Sequence, residues 1–525
     1  PPRSPYPIPH QRRRSSRQKI FAGGRRLPRG EGPLRRGGPA RRMPAGRGAP
    51  WARGAGGGVD LGSCGALAGA SGGAVVRHGP GGAVGTDSRA LVPGQWFLPL
   101  AGLRHDGHEF LDAARRAGCV GAVAEKVPLG WDRGFIRVRN TERALQALGR
   151  HVAEGFPGTV VGLTGSCGKT TSRELAALGL GGTASGVHTT RNNQNNHLGV
   201  PLTLLATPPD ASLVLLEMGM SAPGELDQLQ AIAQPQVRVV TNVRPAHLEG
   251  CGSIKGVAEA KAELVVSAAA GDVVVLNADD AHVDAMAART VGRVLRFGSG
   301  PRCDVQLLGV RPCGPGGHWT AVSLVDNLSG GQPVTCEIPS PGAHLGSCAA
   351  TAAAVAVAIG APVNEAWAAR LSAYAPEGMR MRRQEGPHGV TVLNDAYNSS
   401  PSSCQNALEA LASLPCSGKR IALLGDMLEL GSEATLYHEA ALDSALRAVG
   451  ESGSVGVTGD VFGAVLQARV AAERDPRLFW AASAAELAKV VAGVLDPRDL
   501  VLVKGSRGLH MEDAVSWLLG DDAPT

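Results

Sequence analysis

Lysine is scarce in this chain: 44 arginines stand against 8 lysines. A lysine that persists inside a motif against that bias invites a chemical reason, and Lys169, Lys261 and Lys504 are such positions. Long apolar runs are missing as well. None approaches the ~20 residues a membrane span needs, and the Ala-rich stretch from Ala349 to Gly360 reads as a packed helix. The 10 cysteines include no Cys-x-x-Cys pair, which argues against a zinc site or a disulfide framework and for reduced thiols in a cytosol or plastid stroma. Acids are nearly absent before Asp60, where Glu31 stands alone against 14 Arg and one Lys. That stretch holds an excess of +14 in a chain of +6, which leaves the body at −8. The body is acidic, and the basic balance belongs to a tail. Nucleic-acid binding is not implied.

The tail, about residues 1–58, is rich in Arg, Pro and Gly and has no apolar periodicity to bury, so disorder is expected. Its Arg-rich, acid-poor character looks like an organellar transit peptide, which would place the protein in a plastid stroma. A plain basic tail on a cytoplasmic protein is the alternative. The remaining length allows about three domains. Residues 59–157 read as a small α/β unit with a short strand, Gly121–Ala124. Residues 158–375 alternate apolar strands (Val160–Leu163, Leu213–Leu216, Val237–Thr241, Val273–Leu276) with helical patterns. This predicts a mostly parallel sheet covered by helices, with ligands at the carboxyl ends of its strands. Residues 376–525 form a second α/β series: Val390–Asn394, Arg420–Leu424, Ser454–Thr458 and Leu500–Lys504.

The strongest local signal is Thr164-Gly165-Ser166-Cys167-Gly168-Lys169-Thr170-Thr171, between a buried strand and a helical pattern. Glycines let backbone N–H groups close around phosphate oxygens, and a new helix adds its positive end. Lys169 supplies a cation, and Thr170 offers a hydroxyl to Mg²⁺. The strict phosphate-loop pattern needs glycine where Leu163 stands, so this is a shorter form. Glu217, leaving an apolar strand, is a natural Mg²⁺ ligand or else a solvated strand-end acid. His247, in Ala246-His247-Leu248-Glu249, is a metal ligand or a structural histidine. Cys167 lies beside a helix N-terminus, which tends to lower a thiol's pKa and would open it to oxidation. The plainer reading is a small residue replacing serine.

In order, the chain carries Thr-Asp-Ser-Arg at 86–89, Asp-Gly-His-Glu-Phe at 106–110, the phosphate loop, and Asn195-Asn196-His197-Leu198-Gly199. There follow Glu217-Met218-Gly219, the His247 motif, Asn394-Asp395-Ala396-Tyr397-Asn398, Gly425-Asp426-Met427-Leu428-Glu429-Leu430-Gly431 and Lys504-Gly505-Ser506-Arg507. This set, spanning about residues 84–515, resembles the Mur ligase family, and within it the ligases that add D-Ala-D-Ala to UDP-MurNAc-tripeptide. The resemblance implies an α/β fold of three domains: an N-terminal UDP-binding domain, a central phosphate-loop domain with a mostly parallel sheet, and a C-terminal Rossmann-like domain. It implies that ATP phosphorylates the tripeptide carboxylate and that the amine of D-Ala-D-Ala attacks the acyl phosphate.

It also implies residue roles. Asp87, Ser88 and Arg89 would hold the UDP end, with Asn195 and Asn196 also on substrate. Lys169 would bind phosphate with the loop from Thr164 to Thr171. Thr170 and Glu217 would share one Mg²⁺, and His247 would hold a second. Lys261, fourteen residues after His247, would be carbamylated into an anionic Mg²⁺ ligand. Arg380, Asp395, Tyr397 and Asn398 would approach ATP, and Lys504 and Arg507 the peptide carboxylate or phosphate. For the last two, ordinary solvated charge is the alternative. A monomer is the default state.

One departure stands out. The family usually carries Gly-x-His-Asn-x-x-Asn before the Ala-rich helix, whereas here Leu345 and Cys348 replace both amides. Neither can donate and accept as an amide does, so weaker ATP binding or a weakened homologue serving as a scaffold is the competing reading. Asn192 also stands where glycine is common. The Asp-Asn-Pro-Arg motif of the diaminopimelate-adding sister enzymes is absent.

Overall fold

A nine-stranded sheet occupies the middle of the chain, in the order Val334–Ile338, Trp319–Asp326, Val305–Cys313, Arg293–Gly298, Val273–Asn277, Val237–Val240, Thr159–Thr164, Leu213–Glu217, Val187–Thr189. The computed structural model describes residues 52–53, 58–102, 105–472 and 475–520. Seven neighbouring strands run parallel, and Trp319–Asp326 runs antiparallel to both of its neighbours. The apolar runs are continuous because both faces are covered. Val160, Val214 and Leu216 point into one core, and Val161, Leu163, Leu213 and Leu215 into another.

Strand order decides where the chemistry falls. Thr159–Thr164 lies between Leu213–Glu217 and Val237–Val240, with Leu163 opposite Glu217 and Thr164 opposite Val240. The carboxyl ends of three strands therefore emerge together, which is where open α/β sheets bind ligands. The C-terminal sheet repeats this device. Its order is Arg382–Glu385, Thr391–Asp395, Leu500–Lys504, Arg420–Gly425, Ser454–Thr458, Leu478–Trp480, parallel except for the first strand. Asp395 pairs with Lys504 across that ladder. A five-stranded sheet, Ala74–Arg77, Gly134–Arg137, Gly121–Ala124, Trp96–Phe97, Val84–Gly85, precedes both.

The predicted strands are present, most within a residue of their expected ends. The alternation expected throughout residues 158–375 breaks down in one place. Val305–Cys313, Trp319–Asp326 and Val334–Ile338 form an antiparallel extension with no intervening α-helix. Val305–Cys313 leaves much of its length exposed, so its sequence lacks the solid apolar run of the parallel strands. The tail expectation for residues 1–58 falls mostly outside the described residues. Within it, Ala52–Arg53 pairs antiparallel with Val59–Asp60 rather than being disordered. No described helix is long and apolar enough to cross a membrane.

Candidate active site

The phosphate loop is shaped by close packing against the segment after Val237–Val240. Gly165 has φ +156, and a Cβ there would stand 1.8 Å from Thr241 Oγ1. Gly168, with φ +76, opens the helix Lys169–Gly179. Asn242 Nδ2 donates to Cys167 O at 3.0 Å, and its Oδ1 accepts from Cys167 N at 3.0 Å. Ser166 Oγ donates to Arg244 O at 3.0 Å and accepts from Arg244 N at 2.9 Å. Asn242 was not singled out from sequence. Its position just past a predicted parallel strand beside the loop was the available signal.

Lys169 Nζ donates to Gly165 O at 2.6 Å, folding the ammonium over the loop. Burial pushes this lysine below its ordinary value, and Glu217 opposes that shift. Thr170 Oγ1 donates to Glu217 Oε2 at 2.9 Å, and Asn195 Nδ2 donates to Oε1 at 2.9 Å. Arg173, only 2% exposed and also not anticipated, places Nη1 3.8 Å from the same carboxylate and donates to Thr190 O at 2.5 Å. Its Nη2 lies 3.2 Å from Glu174 and 3.5 Å from Glu377. Burial lifts Glu174 to about 8.

Lys261 is 1% exposed on the helix Ile254–Val266. Among the described residues its only hydrogen-bond contact is Met220 Sδ at 3.5 Å. Burial, reinforced by the Lys169 charge, lowers its amine to about 7. Isolated cations are costly to bury, so this site favours the neutral amine. His247 sits at φ +56 and meets Glu429 of the C-terminal half through Nδ1. Hydrogen bonding to that imidazole holds the Glu429 carboxyl below its usual range.

From the other half, Lys504 Nζ donates to Asp395 Oδ2 at 2.6 Å and to Asn398 O at 2.9 Å. At 2% exposure it is a buried, paired ammonium, not the solvated charge considered from sequence. Asp395 Oδ1 also accepts from Met381 N at 3.0 Å. The Arg380 guanidinium stacks 4.0 Å from the Tyr397 ring centroid. Arg507 is 58% exposed and pairs with Glu512 at 2.9 Å. The loop, Thr170, Glu217 and His247 face Arg380, Asp395, Tyr397 and Arg507 across one cavity of about 640 Å³, a size suited to a ligand.

Not every expected residue lines it. Thr164 and Gly165 lie behind the cavity wall, Thr164 fully buried. Lys261 lies beneath it. Asn195 faces in, while Asn196, also at the cavity, uses its Oδ1 to accept from Leu198 N and Gly199 N at the start of a helix. Asp87, Ser88 and Arg89 belong to the N-terminal sheet region and do not line the cavity. There, Arg89 forks onto Asp87 at 2.9 and 2.8 Å. Asn192 has φ +49, a conformation asparagine tolerates in place of glycine.

Burial raises the Cys167 thiol above its ordinary value and outweighs Lys169 and Arg244, which favours the plainer reading of a small residue in the loop. Leu345 and Cys348 are buried on the helix Leu345–Ala358, which packs against Lys169–Gly179. Cys348 Sγ occupies the space a Cβ on Gly168 would approach to 3.2 Å. Leu345 lines the cavity and Cys348 Sγ donates to Gly168 O at 3.9 Å, so neither position offers an amide there.

Sequence profiles described as "Mur ligase middle domain" and "Mur ligase, glutamate ligase domain" match residues 163–356 and 379–507. The UDP-N-acetylmuramoyl-tripeptide–D-alanyl-D-alanine ligase of Bacillus subtilis is 34% identical over 454 residues, covering 85% of this chain and 93% of that protein. The chain belongs to the Mur ligase family. The Escherichia coli ligase of the same description is 31% identical, covering 83% and 93% of the two chains. Among solved structures, MurF from Acinetobacter baumannii superposes with a TM-score of 0.76 at 26% identity, covering 86% of this chain and 98% of that one. MurF from Thermotoga maritima, solved in complex with ADP, gives 0.69 at 27% identity over 84% and 97%. This Mur ligase thus matches its relatives over nearly their whole length, through the N-terminal sheet as well as the two profile-matched regions.

Proposed function

We infer that the chain joins D-Ala-D-Ala to UDP-MurNAc-tripeptide at the expense of ATP, giving ADP and phosphate. The observation that carries this is the single cavity where a phosphate loop, Glu217 and His247 meet the Arg380, Asp395 and Arg507 side. ATP and a carboxylate are both anions, so their reaction needs fixed positive charge. Lys169 supplies it at the loop. Arg380, held against Tyr397, offers a second cation from the opposite wall. The γ-phosphate moves to the tripeptide carboxylate, forming an acyl phosphate and releasing ADP. The D-Ala-D-Ala amine then attacks the acyl carbon, and the tetrahedral adduct expels phosphate. The retained Lys169, Thr170, Glu217, His247 and Lys261 give no support to a scaffold.

The donor set fits Mg²⁺. Thr170 and Glu217 offer hard oxygens in contact, and Mg²⁺ characteristically adds substrate phosphate oxygens to one or two carboxylates. When bound, Mg²⁺ would neutralise developing phosphoryl charge, one ion held by Thr170 and Glu217 and a second by His247. Carbamylation of Lys261 is supported by its buried, unpaired amine: the neutral nitrogen bonds to CO₂ carbon, loses one proton and becomes an anionic carbamate. The proposed division of labour follows residues 59–157 for the UDP end, through Asp87, Ser88 and Arg89, residues 158–375 for ATP, and residues 376–525 for closure. Residues 1–58 are read as an address to a plastid stroma. A fluorescent fusion of that segment that stays in the cytosol removes the address alone.

The test of function is phosphate release by the full chain with ATP, Mg²⁺, bicarbonate and both substrates. Release that requires each substrate supports the ligase. ATP hydrolysis indifferent to both contradicts it.

A further inference from the structure

The Gly425–Gly431 motif lies in the C-terminal half, at the end of the strand Arg420–Gly425 and on the loop after it. Its glutamate nevertheless reaches 182 residues back along the chain to touch His247. An ionised carboxylate only accepts, so the shared proton sits on His247 Nδ1 and fixes the tautomer. Both residues are non-glycine positions in left-handed backbone, His247 at φ +56 and Glu429 at φ +64. Such conformations persist only where surrounding contacts hold them.

Those contacts are present on the Glu429 side. His438, fully buried, accepts from Met427 N through Nε2 at 2.9 Å and donates from Nδ1 to Ala434 O at 2.7 Å. Ser506 Oγ accepts from Leu428 N at 2.9 Å. Asp426 receives Val461 N and Phe462 N at 2.9 and 2.8 Å. The glutamate therefore stands on a loop tied down at three successive residues before it. Across the junction, Glu249 N donates to Glu429 O at 3.2 Å, and Leu248 shares an apolar cluster with Met427 and Leu430.

We propose that Glu429 is a positioning residue that docks the C-terminal half onto His247 and aims the imidazole's other nitrogen at the Mg²⁺ site. This rests on the metal reading of the cleft given above. Carboxylates that hold a ligating histidine in this way affect metal affinity on the order of 10- to 100-fold. Docking of the two halves and completion of the metal site become one event.

The test uses the full chain and Mn²⁺ as the probe, titrated by electron paramagnetic resonance with a non-hydrolysable ATP analogue present. Glu429→Ala weakens Mn²⁺ binding on the order of tenfold and lowers kcat while KM for ATP holds. Glu429→Gln, which can still accept from Nδ1, recovers most of that loss. Combining Glu429→Ala with His247→Ala weakens binding no further than His247→Ala alone. Equal Mn²⁺ affinity in Glu429→Ala and wild type, or additive losses in the double variant, overturns the proposal. Wild-type Mn²⁺ binding that ignores the nucleotide analogue overturns the reading of the cleft itself, and the proposal with it.

Discussion

On one wall of the cleft, the Lys169 ammonium and the Thr170 hydroxyl are held by groups at the ends of adjacent parallel strands, and the Glu217 carboxylate by Thr170 and Asn195. The opposite wall presents Arg380 and Glu429 on loops and Arg507 at the start of a short 3₁₀ turn, with stacking or ion-pair contacts. The first wall is pre-organised by a sheet with both faces buried. The second depends on where the C-terminal half stands. On the proposed function, phosphate handling would belong to the fixed wall and completion of the site to the docking one. Beneath the fixed wall lies a further asymmetry, since Lys261 is buried without a carboxylate while Lys504 is buried with Asp395. A buried amine without a carboxylate partner is the more easily neutralised of the two.

The largest effect should come from the fixed wall. Lys169→Ala is expected to lower phosphate release by about 10²- to 10³-fold, the range seen when one pre-organised stabilising group is removed. A loss under tenfold would mean that the loop is not the phosphate site. Next is Lys261. With ¹³C-bicarbonate, a carbamate signal should appear in wild type, grow as pH rises through about 7, and vanish in Lys261→Gln. The sign for stability is the same in direction. Between about 7 and its ordinary 10.5 the amine is neutral when folded and charged when unfolded, so its contribution to stability rises with pH across that window. A carbamate signal of equal size in Lys261→Gln would place the modification elsewhere.

A smaller effect is expected on the docking wall. Arg380→Ala removes the cation that the opposite wall offers to the nucleotide and should raise KM for ATP by up to about tenfold, the equivalent of about 1.4 kcal/mol. Unchanged KM would remove Arg380 from the nucleotide. The smallest effect concerns Glu174 at the junction with Glu377. Its carboxyl is raised from 4.5 to about 8, so the folded state holds a proton that the unfolded state releases between those values. Stability from this group therefore falls as pH rises through that window and levels off above it. Thermal melts of Glu174→Gln should show a flatter pH dependence there. Melts with wild-type slope would contradict the assignment.

What could be read in advance follows sequence distance. The parallel strands were legible because two-sided burial demands unbroken apolar runs. Lys169, Thr170 and Glu217 were legible because loop and strand-end spacing are local. The antiparallel stretch from Val305 to Ile338 was not, since its exposed faces dilute the pattern. Pairings such as Lys504 with Asp395, 109 residues apart, and His247 with Glu429 depend on strand order and docking. At Cys167 the helix terminus, a local feature, is outweighed by desolvation, which leaves the plainer reading of a small loop residue.

The most direct test of the account is mass spectrometry of the product formed by the full chain from UDP-MurNAc-tripeptide, D-Ala-D-Ala and ATP. A UDP-MurNAc-pentapeptide should form only with all three substrates present and be lost in Lys169→Ala. ATP consumed with only the unextended tripeptide recovered would contradict it.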